Sequence, residues 1–113
     1  MAPQQTMSDA ALLEKILSDY AKIPYAHGDL IGQTVFDREG NRYLLMTLGW
    51  DDDKRVHSVV VDVELRNGKF WIHRDGLEEG IAADLEEHGV PKERIVLAWL
   101  QERERPLTGY AVS

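Results

Sequence analysis

The chain contains no cysteine, which excludes disulfides, thiolate metal sites and a cysteine nucleophile and fits a reducing compartment. Apolar runs are short. None approaches the roughly 18 residues that span a bilayer, and the opening MAPQQTMSDA has neither the basic nor the apolar region of a signal peptide. A soluble, cytoplasmic protein without membrane contact is therefore expected. Positive charge is also in short supply, since 13 Lys+Arg face 20 Asp+Glu and leave a formal charge of −7. Phosphate neutralisation supplies most nonspecific affinity for nucleic acid, so direct DNA binding by this chain alone is not expected. An acidic surface suits a basic protein partner better.

What is present describes one folded domain. The 113 residues suffice for a single hydrophobic core, and 43% hydrophobic with 29% charged residues is ordinary globular usage. Residues 1–7, MAPQQTM, read as a disordered leader, with 8–113 as the domain. Leu12, Leu13, Ile16, Leu17 and Tyr20 recur at helical spacing, with Thr6 or Ser8 as cap and Pro24 as stop. After the expected loop PYAHGDLIG the period changes to two. QTVFD and RYLLMTLGW flank the turn REGN, and DDDK, residues 51 to 54, is a second, solvated turn; it lacks the acid spacing and glycine of a calcium loop.

Asn67-Gly68 between alternating runs is a strong hairpin signal, because both turn residues must take positive φ. Counting outward pairs Leu65 with Phe70, Val63 with Ile72, Glu64 with Trp71 and Asp62 with His73. Downstream, Asp75 with Glu78 has the pattern of an N-terminal cap for a helix that carries Leu77, Ile81, Leu85 and His88 on one side. Glu78 and Glu79 would then lie in its first turn, where the dipole favours negative charge. Gly80 inside that helix hints at close backbone approach, while Gly89 and Pro91 end it. ERIVLAWL and LTGYAV read as two further strands joined by a solvated QERERP loop. The expected architecture is α+β, a single domain with a mainly antiparallel six-stranded sheet and two helices packed on one face.

No complete reaction centre emerges. Asp62 opposite His73 could orient a general base, yet no hydroxyl or thiol is placed to be activated, so a cross-strand polar pair is the expectation. Asp62, Glu64 and His73 could imitate a metal-dependent nuclease or hydrolase, but the register puts Lys69 on the opposite face, and no HExxH or comparable signature exists. No metal or cofactor is expected. Trp71, Trp99 and Arg105 are the candidate partner-binding residues, with Trp50 a further exposed candidate, because Trp and Arg dominate interface energetics.

Five segments carry a resemblance: GW…RV (Gly49, Trp50, Arg55, Val56), NGKFWI (Asn67 to Ile72), EEGIAADL (Glu78 to Leu85), GVPKERIVL (Gly89 to Leu97) and LTGYAV (Leu107 to Val112). In order and spacing, from about Leu12 to the C-terminus, they resemble the XisI family, the fdxN element excision controlling factors. The resemblance implies a cyanobacterial-type, non-enzymatic accessory protein. Its partner would be a XisH-like protein of restriction-endonuclease-type fold, and its role the control of site-specific excision of a DNA element by a separate recombinase. Homo-oligomerisation is a further possibility. The family usually carries histidine where Asp62 stands, threonine where Leu77 stands and His-Pro-Pro where Leu100-Gln101-Glu102 stands, so partner specificity is expected to differ there.

Overall fold

The structure is a computed structural model, and residues 7–25 and 29–113 are described. Most of the expected leader, and Thr6 as a cap, lie outside the described residues. Helix α1 spans Asp9–Ala21, with the Ser8 hydroxyl accepting from the Ala11 N–H at 3.1 Å. Leu12, Leu13, Ile16 and Leu17 are buried along one side, as their spacing requires.

Four strands follow as an antiparallel meander: β1 (Asp29–Asp37), β2 (Arg42–Asp51), β3 (Lys54–Arg66) and β4 (Lys69–Asp75). Strand β1 begins inside the stretch expected to be loop. Gly32, which read as a loop glycine, is instead a strand residue beneath the end of α1, where a Cβ would lie 2.8 Å from the Ala21 Cα. Asn67 and Gly68 take φ of 53° and 75° in the tight turn before β4. Leu65–Phe70, Glu64–Trp71 and Val63–Ile72 pair as counted.

The pairing of Asp62 with His73 is corrected. Asp62 sits opposite Arg74, because a bulge inserts His73 as an extra residue in β4. The shifted register continues just beyond the strand, where the Gly76 N–H donates to the Val60 carbonyl at 2.7 Å.

Helix α2 is also shorter than expected, Ile81–Glu87. Asp75 remains in β4 and acts from a distance, its carboxylate accepting from the Ile81 N–H at 2.8 Å and the Leu77 N–H at 3.4 Å. Glu78 and Glu79 therefore lie in the approach loop and not in the first turn. Gly80 is the cap residue, at φ 90°. At the far end the Val90 N–H reaches the Leu85 carbonyl and the Gly89 N–H the Glu86 carbonyl, both at 3.0 Å, closing the helix as Gly89 predicts.

Strand β5 (Ile95–Leu97) follows a single 3-10 turn (Lys92–Arg94) and pairs parallel with β4. The sixth strand is not formed. LTGYAV makes one isolated bridge, Ala111 to Val96, and QERERP is not an open loop but part of a 3-10 helix, Glu102–Leu107, capped reciprocally by Gln101 and Glu104. The Arg105 guanidinium bonds the Leu100 and Val112 carbonyls, which curls the segment back on itself. The result is an α+β domain with a five-stranded, mainly antiparallel sheet. One sheet face meets both helices in a core that includes Leu13, Leu17, Tyr43, Val63, Ile72 and Leu85. Among the described residues, the other face carries no α-helix.

Candidate protein interface

The outer sheet face divides into two halves of different chemistry. On the outer face an apolar strip runs along β2 (Leu44, Met46, Leu48, Trp50), flanked by Ile31 and Val35 of β1 and Val59 of β3, while Arg55 and His57 of β3 lie opposite Trp50 and Leu48. Ile31 pairs with Leu48, Val35 with Leu44, and Gln33 with Met46, which in turn faces Val59. Ile31 is 62% exposed and Trp50 47%, whereas Leu44, Met46, Leu48 and Val59 are half-buried. Sequence reasoning named Trp50 but missed Ile31 and Val35, although the alternation of β1 would have revealed them had the strand been extended back to Asp29.

Toward β4 the same face becomes charged. Arg42 donates to both Asp62 oxygens, at 2.6 and 3.1 Å, and the His73 Nε2 lies 2.9 Å from Glu64. The bulge thus brings His73 to Glu64 and leaves Asp62 to Arg42, so the three do not form one cluster. Among the described residues no three His, Asp or Glu side chains converge as a metal would require.

Trp71 and Arg105 come together, and Trp99 stands apart. Trp71 is only 8% exposed. The Arg66 guanidinium stacks 3.8 Å from its ring centre, Arg105 approaches to 5.8 Å, and its indole N–H donates to the Arg66 carbonyl at 3.2 Å. Its expected exposure is therefore corrected, because the curled C-terminal segment and Arg66 cover it. Trp99 is 48% exposed and borders a shallow hollow with His73, Arg74, Asp75 and Gly76.

On the helical side two phenols brace α2. Tyr20 of α1 donates to Asp84 at 2.5 Å and Tyr110 to Glu86 at 2.6 Å. Each hydroxyl is pushed up to about 12, first by its hydrogen bond to a carboxylate and then by burial. A raised folded value means that this stability is complete below the ordinary tyrosine value of 10.0 and is lost as pH rises toward about 12. The melting temperature should accordingly fall through that window, and the Tyr20→Phe/Tyr110→Phe double variant should show a shallower fall. Parallel curves for the two proteins would contradict the assignment.

The fold is shared with known proteins. Residues 4–112 match the family model described as XisI protein. A crystal structure of a XisI-like protein from Anabaena variabilis is 31% identical, with a TM-score of 0.82, covering 91% of this chain and 94% of that one. The fdxN element excision controlling factor XisI from the same organism is 25% identical, with a TM-score of 0.74 and the same coverage of each chain. No curated protein matches the sequence. Among the described residues, no helix is long and apolar enough to cross a membrane.

Proposed function

The chain belongs to the XisI family, and from that premise we propose that it is a non-enzymatic accessory protein, controlling excision of a DNA element through contact with a XisH-like protein. The observation that carries this reading is the outer sheet face, where Leu44, Met46, Leu48 and Val59 form an apolar surface beside Trp50 and a charged margin. Apolar centres with polar rims and exposed Trp are the usual anatomy of a protein contact. The carboxylates that a nuclease reading would use already serve Arg42 and His73. Trp99 extends the contact at the charged margin, while Trp71 and Arg105 act beneath it as support.

Asp62 lies within this face, at a position where the family usually has histidine, so the Arg42–Asp62 pair sets a specificity of its own. Leu77 and Leu100 pack against the core instead. Co-expression with a XisH-like protein, followed by size-exclusion chromatography, tests the proposal. A co-eluting complex is expected, and Met46→Glu or Trp99→Ala should each weaken it by roughly tenfold or more. Separate peaks for the unmodified proteins would defeat it.

A further inference from the structure

The two edges of the sheet are treated differently. Strand β5 is three residues long, and Ala111 bridges to it at Val96. Strand β1 is nine residues long and, among the described residues, pairs only with β2. Proteins normally blunt such an edge with lysine, proline, a bulge or an inward charge. DLIGQTVFD has none of the first two, its pairing with β2 runs without a register shift, and its charges stand only at its ends.

The strand is also held ready. Arg38, just past its end, donates two 2.8 Å hydrogen bonds to Glu14 of α1, and Gly32 lies against the backbone of Ala21. The edge is thus fixed at two points before any partner arrives, which lowers the ordering cost of pairing.

What fits this edge is indicated by its own sequence, which has the same pattern in both directions: Asp, two apolar residues, a small residue, Gln, a small residue, two apolar residues, Asp. A self-complementary patch is what a two-fold axis requires. We propose that β1 pairs antiparallel with β1 of a second copy about an axis at Gln33, joining two five-stranded sheets into one. Ile31 then faces the second copy's Val35 on the outer side, and Leu30 faces its Phe36 on the helical side. Gln33 faces Gln33. The outer apolar surface becomes continuous across the axis, independently of whether a XisH-like protein binds there.

Charge makes the dimer distinctive. Asp29 of each copy meets Asp37 of the other, and both chains are acidic, so added salt strengthens this association by screening. A basic partner at the same edge would respond in the opposite sense.

The absence of native cysteine permits a clean test. Residues directly opposite in an antiparallel pair have Cα atoms roughly 4.5–5.5 Å apart, within disulfide range. The Gln33→Cys chain should form a covalent dimer in oxidised glutathione. Met46→Cys should not, since its copies would lie three strand spacings, roughly 14 Å, apart. In sedimentation experiments the native chain should be dimeric, more so at higher salt, and Ile31→Lys should be monomeric with an unchanged circular dichroism spectrum. A Gln33→Cys chain that stays uncrosslinked, equal crosslinking of Met46→Cys, or a dimer surviving Ile31→Lys would each overturn the proposal.

Discussion

Replacing Gly49 by alanine is expected to lower the urea midpoint by about 1–3 M, corresponding to a loss of about 3 kcal/mol. Gly49 sits in β2 at φ 139°, opposite Leu30 of β1. A Cβ there would lie 1.9 Å from the Asp29 carbonyl oxygen and 2.9 Å from its carbon. Both obstacles are backbone, so no side-chain rotation relieves the overlap. The start of β1 must move off β2, adding lost pairing to the strain of an L-residue at positive φ. An unchanged midpoint would show that the two strands separate at no cost there.

Trp71→Ala should be comparably damaging, costing about 3–5 kcal/mol, as removal of a buried Trp usually does. Beyond its area, the ring supports the Arg66 stack and lies under Arg105, whose guanidinium holds the Leu100 and Val112 carbonyls. The loss should therefore extend to Glu102–Leu107, with faster hydrogen exchange at the Thr108 amide that closes this 3-10 helix. Trp99→Ala, at a half-exposed ring, should stay within about 0.5 kcal/mol of the unmodified protein. This contrast separates a Trp that builds the surface from one that is free to meet a partner. Equal stabilities for the two variants would remove the distinction.

Local signals were the ones legible in the sequence. Asn67-Gly68 specifies its hairpin because positive φ is a property of those two residues, and the α1 stripe follows from helical spacing alone. Counting outward from the turn gives three of the pairs and misses the fourth, because a bulge at His73 shifts the register and the Gly76–Val60 hydrogen bond continues that shift. Asp75 was correctly seen as a capping acceptor, but its target is Ile81, six residues on, because Gly76 to Gly80 form a loop that no capping pattern encodes.

The same limit applies to the candidate interface. Alternation placed Trp71 on the outer face, yet its burial depends on Arg66 and Arg105, contributed by β3 and a 3-10 helix, a convergence invisible to any window along the chain. Glu64 and His73 were named for chemistry and do meet, while Asp62 turns to Arg42, twenty residues earlier. Family membership was legible because it rests on order and spacing of whole segments, which tertiary bulges do not disturb.

The bracing of α2 carries a consequence for how the chain is made. Seven residues are too few for a helix to persist alone in water, and its two phenolic braces come from 64 positions upstream and 24 positions downstream. As the polypeptide leaves the ribosome, the upstream tyrosine is made 64 residues before its acceptor and the downstream one 24 residues after its own. The helical layer can therefore close fully only after the segment beyond α2 has been made.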